Sequence, residues 1–223
     1  EGVRTQAMSA DSLDALRLQL APAIADAAAF DGWSEESVRY AADQHGVDGD
    51  AALYAFSGGA MAMIDAWIAS VDAAMAKALP PEKLAPLKIR EKIRTLVLFR
   101  LDAIAHQKEA LRRAQAIMAA PRNLPQAIRL GWRSADAMWR LAGDTATDYN
   151  HYTKRMTLGS IYAATLAVYV GDSSADHADT KAFLDRRIEG IMKFEKAKAR
   201  LLRPSDEHFS PARLLGRLRY PAR

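Results

Sequence analysis

Apolar residues recur along this chain at intervals of three and four, and the strict alternation of a half-buried strand never persists. The pattern predicts helix over nearly the whole length. A first helix is expected over residues 12–30, with Pro22 as a kink or a late start and Asp31-Gly32 as its end. Ser34 is placed to cap a second helix. Glu35 and Glu36 then fall in its first turn, where the helix dipole favours acids. His45-Gly46 closes that helix, and a short third one is expected over residues 49–56. Ser57-Gly58-Gly59 breaks the chain before a longer helix that reaches Leu79, and Leu79-Pro80-Pro81 reads as the clearest linker. Further helices are expected over residues 87–105, 108–119, 126–142, from a cap at Thr147 or Asp148 to Val170, and 178–202.

The faces of two helices carry most of the information. In residues 126–142, Arg129, Arg133, Asp136 and Arg140 make one polar stripe, with Asp136 within reach of Arg133 and Arg140. Leu124, Ile128, Trp132, Ala135 and Trp139 form an apolar stripe beside it, and Leu130, Ala137, Met138 and Leu141 form another. Two apolar stripes predict a helix that is mostly buried with one wet edge. The next helix is apolar or small from Leu158 onward, but it opens with Tyr149, Asn150, His151, Tyr152, Lys154 and Arg155. The amino end is therefore expected to leave the core. Its rings read either as core-edge residues with wet hydroxyls or as anchors for a partner protein.

Composition trims the alternatives. Half of the 223 residues are hydrophobic, enough for one large or two small cores. There is no cysteine, which removes disulfide and thiolate chemistry, and five scattered histidines leave little for zinc. Asp148 and His151 stand at a metal-compatible spacing, yet no second carboxylate–histidine pair accompanies them, and a capping aspartate beside a surface histidine is the plainer reading. No phosphate loop, nucleophile elbow or zincin motif occurs, so no catalytic role is expected and no cofactor is implied. Apolar runs are too short to span a bilayer.

The first three helices have the cadence of a helix-turn-helix. The third, VDGDAALYAF, brings Asp48 and Asp50 and no Lys or Arg, which would repel a phosphate backbone; nucleic acid is therefore not expected as a partner. At the other end, SPARLLGRLRYPAR sets Leu214, Leu215 and Leu218 against Arg213, Arg217 and Arg219. It reads as a short amphipathic helix on an anionic membrane or as a basic tail without fixed structure.

The segment ADAMWRLAGDTATDYNHYTKRMTLGSIYAATLAVYVGDSSADHADTKAFLDRRI, residues 135–188, resembles the lipid-binding accessory protein family of ubiquinone biosynthesis, the ninth coenzyme Q component. The shared features are a Met-Trp helix end, an Ala-Gly-Asp turn, an aromatic-Asn-aromatic-Tyr-Thr-basic-Arg run and an Asp-Ser-Ser turn. The earlier half matches more loosely, through DGWS and the helix-turn-helix cadence. The resemblance implies an all-α fold like that of TetR-type repressors, with a degenerate helix-turn-helix over 1–57, a helical lipid-binding region over 58–202 and a basic amphipathic tail over 203–223. It also implies a non-catalytic homodimer that shelters an isoprenoid or phospholipid and presents polyprenyl quinone intermediates to the di-iron demethoxyubiquinone hydroxylase. The expected location is peripheral, on the cytoplasmic face of a bacterial inner membrane or on the mitochondrial inner membrane from the matrix side.

The family's hydroxylase-contact patch maps by resemblance onto Asp136, His151 and Tyr152, with His151 standing where the family often has Trp. Trp139, Tyr149, Asn150, Lys154 and Arg155 complete the expected partner surface, and Arg129 and Arg133 join Lys154 and Arg155 as cations that would orient an acidic partner. Leu214, Leu215, Leu218, Arg213 and Arg217 are the expected membrane contacts. A TetR-type ligand-responsive regulator is the competing reading.

Overall fold

A computed structural model describes residues 10–145 and 149–201. The described residues form helices joined by turns, in the order α1 (Ala10–Asp31), α2 (Glu35–Gln44), α3 (Gly49–Ala55), α4 (Ala60–Ala78), α5 (Pro81–Leu84), α6 (Ile89–Ala103), α7 (Lys108–Ala119), α8 (Leu124–Leu141), α9 (Tyr149–Gly171) and α10 (Ala178–Leu201). The chain divides into one unit through Asp185 and a second from Arg186, so that α1 to α9 and the first turns of α10 belong to the first unit.

The breaks fall where the backbone needs them. Gly46 and Gly143 take φ of 64° and 89°, a region that side chains with a Cβ rarely occupy. Ser34 caps α2 by accepting from the Ser37 N–H, and Asp48 caps α3 by accepting from the Ala51 N–H at 2.9 Å. Pro22 lies inside α1, which is continuous from Ala10 rather than starting late. The Pro22 carbonyl also accepts from Gln107 Nε2, a side chain of another element, at 3.2 Å.

Leu79 and Pro80 break the chain between α4 and α5, as the punctuation predicts, though the break is short. Pro81 begins the short helix α5, and Leu84 is fully buried. Pro fits there because the first helical turn has no use for its missing N–H. The same reason moves the start of α8 ahead of the expected residue 126, to Leu124 with Pro125 in the first turn.

The first three helices are fastened to the rest of the unit. α1 packs on both α2 and α4. Trp33 packs against Trp67, ring centres 5.3 Å apart and tilted by 48°, and donates to the Ala110 carbonyl at 3.1 Å, while Trp67 donates to Gln107 Oε1 at 2.8 Å. Two large rings are thus sunk in the core with their N–H groups satisfied, the condition for burying them at low cost. Leu20, Ile24, Ile64, Met75, Leu96, Met138 and Leu158 complete that core.

Candidate functional site

Helices α8 and α9 pack together, and what lies between them differs from what lies outside. Inside, Leu130, Ser134, Ala135 and Met138 of α8 are buried. Gly159 faces the backbone of α8: a Cβ added to it would sit 3.8 Å from the Gly131 carbonyl oxygen. Small residues on both helices leave a cavity of about 500 Å³. Its walls are Trp67, Ile68 and Val71 of α4, Arg100 of α6, Leu111 and Met118 of α7, and Ala127, Leu130, Tyr162, Ala163 and Leu166 of α8 and α9. That volume falls within the roughly 300–1,000 Å³ typical of small-molecule sites.

The apolar stripe Leu124–Ile128–Trp132 does not enter the core. Ile128 is 70% exposed, and Leu124 is exposed as well. Across from it, Tyr152 and Met156, one turn apart on α9, are 59% and 67% exposed. Trp132 joins the two helices, its ring 5.9 Å from Tyr152 and 6.4 Å from His151, while His151 meets Tyr152 edge-on at 5.2 Å. The result is a contiguous aromatic and aliphatic surface, the kind of patch that marks an interaction site rather than scattered exposed side chains.

Beneath this surface lies a charged clamp. Arg155 is 2% exposed and donates to Asp136 Oδ1 at 2.6 Å and to Asp144 Oδ2 at 3.0 Å. Burial by itself disfavours the Arg155 cation, but the hydrogen-bonded carboxylates of Asp136 and Asp144 outweigh it and hold its pKa above the ordinary arginine value. Lys154 pairs with Asp144 at 2.7 Å and sits over the Trp139 ring at 5.4 Å; Trp139 Nε1 in turn donates to the Lys154 carbonyl at 3.0 Å. Asp136 is completed on its outer side by Arg140 at 2.8 Å.

The expected partner-binding residues therefore separate into two sets. His151 and Tyr152 belong to the outer patch. Asp136, Trp139, Lys154 and Arg155 tie α8 to α9 underneath it, and the expectation that Arg155 offers its charge to a partner is corrected: its guanidinium is enclosed and neutralised by two carboxylates. Arg133, expected at the same basic edge, is spent on Asp65 of α4 at 2.5 Å, which leaves Asp136 to Arg140 and Arg155. Arg129 stands exposed.

Tyr149 and Asn150 lie in the first turn of α9, but their side chains lie outside the described residues, as do Asp148 and the tail residues Arg213, Leu214, Leu215, Arg217 and Leu218. Among the described residues no three His, Asp or Glu side chains converge as metal ligands, and no single helix is long and apolar enough to cross a membrane. Trp132, Ile128 and Met156 are the patch residues that sequence reasoning missed. The available signal was the second apolar stripe of α8, which is more apolar surface than one buried face requires.

The arrangement of helices defines a class. The fold matches that of a TetR transcriptional regulator from Nitrosomonas europaea ATCC 19718 with a TM-score of 0.63, at 22% identity, covering 80% of this chain and 99% of that one. This is an all-α protein of the TetR-like fold. The COQ9 family model matches residues 124–195, the stretch that builds α8, α9 and most of α10. The ubiquinone biosynthesis protein COQ9 of Rattus norvegicus is 34% identical over 168 residues, 72% of this chain and 54% of its own. The Homo sapiens protein of that name is 33% identical over the same length, covering 52% of itself. The chain belongs to the COQ9 family, and it spans about half the length of the curated relatives it matches.

Proposed function

We propose that this protein is a non-catalytic lipid-binding partner in ubiquinone biosynthesis, which takes the apolar part of a quinone intermediate into the α8–α9 cavity and docks demethoxyubiquinone hydroxylase on the patch around Trp132 and Tyr152. The observation that carries the reading is the pairing of these two features on one helix pair: an apolar hollow on the inner side and an exposed aromatic surface on the outer side. Membership of the family supplies the pathway, and the relatives' names place those proteins in mitochondria.

The physical task is transfer of a nearly insoluble molecule from bilayer to enzyme. Each Å² of isoprenoid surface returned to an apolar wall recovers about 25 cal/mol. The cavity thus replaces the environment that the tail loses, and partial extraction becomes close to neutral. A peripheral seat on the membrane that holds the quinone, with the basic tail against anionic lipid, is part of this reading, as is a homodimer.

The test has two arms, one for each feature. A Cβ at Gly131 would meet nothing within 4 Å, so Gly131→Leu has room to project into the space it lines. It should fold, gaining about 0.8 kcal/mol of helix propensity, and should lose co-purified isoprenoid or phospholipid in native mass spectrometry. Tyr152→Ala should leave the melting temperature nearly unchanged, since the side chain is exposed, and weaken hydroxylase binding on the order of tenfold or more, as loss of an aromatic anchor does. Lipid-free wild-type protein with no lipid uptake sinks the first arm; unchanged hydroxylase binding sinks the second.

The competing regulator reading rests on the fold alone. Asp48 is consumed as the cap of α3, Asp50 follows in the first turn, and α3 carries no base. Mobility shift with genomic fragments at low salt decides it.

A further inference from the structure

The cavity opens beside the turn that joins α7 to α8. Trp67, Val71, Arg100 and Tyr162 of its wall are buried, but Ala119 at the end of α7 and Ala163 and Ala167 on α9 are exposed. Met118 and Ala127 line it from either side of the turn. The turn is fixed: Asn123 Nδ2 donates to the Ile117 carbonyl at 2.8 Å, and Pro121 and Pro125 stand before and after it. It carries Leu124 and Ile128, both exposed and one helical turn apart. On the helix surface they neighbour Ala127 and Gly131 of the wall, so the exposed apolar pair borders the opening.

The charges nearby decide what covers it. Between Glu109 and Asp136 the chain has five arginines and no acidic residue. Arg112 and Arg113 pair with Glu109, and Arg133 pairs with Asp65. Arg122 and Arg129 are exposed, and neither has a carboxylate partner among the described residues. Exposed aliphatic groups bordered by free bases suit an anionic lipid surface, where the apolar groups enter the acyl boundary and the bases stay with the headgroups. A protein seated there would cut the opening off from the bilayer that holds the guest. Resting on the lipid-binding reading, we infer that the α7–α8 turn is a seat on an anionic bilayer. Leu124 and Ile128 insert, Arg122 and Arg129 meet the headgroups, and the cavity opens onto the acyl layer. Trp132, Tyr152 and Met156, farther along the same surface, remain for the enzyme.

The experiment uses the whole chain. It contains no cysteine, so a single one can be introduced and labelled with a nitrobenzoxadiazole dye. Ile128→Cys puts the dye at the seat, and Tyr54→Cys puts it on α3, an exposed position on a helix that packs on α1 and α2. On vesicles of phosphatidylcholine mixed with phosphatidylglycerol, the dye at residue 128 should brighten several-fold, and lipids with a nitroxide on the acyl chain should quench it. The dye at residue 54 should stay as it is in water. With Ile128 restored, Arg122→Gln with Arg129→Gln should weaken binding to those vesicles about 30-fold at low salt, the factor that about 1 kcal/mol for each base converts to. Both side chains are exposed, so the melting temperature should hold. Added salt should narrow the difference from wild type.

A dye at residue 128 that stays in water while the chain sits on the vesicles shows that another segment makes the contact, and it overturns the inference. Unchanged vesicle binding by the double variant does the same. So does a loss confined to hydroxylase binding, which makes the turn a protein site, and so does a chain that binds no vesicle. If the seat fails while native mass spectrometry still finds isoprenoid or phospholipid, the cavity reading stands without it. An inserted dye on a chain that takes up no lipid does the reverse: the seat stands and the cavity reading falls.

Discussion

The two helix pairs at either end of this unit handle charge and apolar surface in opposite ways. In α2 and α3 the charged groups are outside: Asp50 is 90% exposed, and its contact with Arg39 stretches to 3.8 Å, while Val38, Ala41, Ala52 and Ala55 are buried. In α8 and α9 the core side is apolar as well, but at one spot ions lie beneath exposed apolar groups, with Arg155, Asp136 and Asp144 under Ile128, Trp132, Tyr152 and Met156. Tyr40 and Tyr54 are exposed on α2 and α3 as well, but no ring contact joins them, whereas Trp132, His151 and Tyr152 touch one another. The first pair obeys the ordinary rule for a surface helix. The second breaks the rule twice at one spot, and such breaches are expected where a surface is used for something besides folding.

The largest effect should come from the buried ions. Replacing Arg155 with Met strands two carboxylates, one of them, Asp144, only 5% exposed. Breaking a buried pair from one side costs about 3–5 kcal/mol, and the lower end applies because Arg140 stays on Asp136 and Lys154 on Asp144. Urea unfolding of Arg155→Met should therefore show a loss of about 3 kcal/mol. Arg39→Met in α2 should lose under about 0.5 kcal/mol, because an exposed pair at that distance contributes little. Equal losses would erase the contrast between the two pairs.

How far this contrast could be read in advance depends on the range of the interactions involved. Helix starts and stops are local: Ser34 as a cap, His45-Gly46 and Gly143 as ends, and the acids of the first turn of α2 were all legible, because each acts within a few residues. The TetR-like fold and the family followed from the 135–188 pattern. The burial of Arg155 was not legible, since its partners lie 11 and 19 residues away and meet it only when α8 and α9 pack. Periodicity showed that α8 has two apolar stripes but not which one faces inward. The cavity was invisible for another reason. It is made by what Gly131, Ala127, Gly159 and Ala163 omit, and small residues leave no hydrophobic signal.

A second carboxylate extends the comparison to the end of α9. Asp172 receives the N–H and hydroxyl of Ser174 at 2.8 and 2.5 Å, and those of Thr180 at 2.9 and 2.5 Å. The side-chain hydrogen bonds from Ser174 and Thr180, with the backbone donors behind them, hold its pKa well below the ordinary aspartate value of 3.8. A group depressed on folding contributes stability that is complete above its unfolded pKa and fades as pH falls through the folded one. Asp172→Ala should lower the melting temperature by several degrees at pH 7. The gap from wild type should hold down to about pH 4, near the unfolded value, and narrow below it. A gap that closes at neutral pH would mean that the Asp172 charge does not hold this turn.

The smallest effects belong to α3 and separate two acids of similar appearance. Asp48 accepts the Ala51 N–H at 2.9 Å and satisfies a helix-end donor that has no other partner within the helix. Asp48→Ala should cost about 1 kcal/mol, the usual value of a lost cap. Asp50 is exposed, two residues on, and supplies charge rather than a cap, so Asp50→Asn should stay within about 0.5 kcal/mol of wild type. The pair of variants isolates what the acids of this helix are for. If Asp48 is the costly one, its carboxylate serves the backbone of its own chain, and an element shaped like a recognition helix has its first polar side chain turned to folding. If neither matters, the cap is ornamental, and the acids of α3 are answerable only to whatever approaches them from outside.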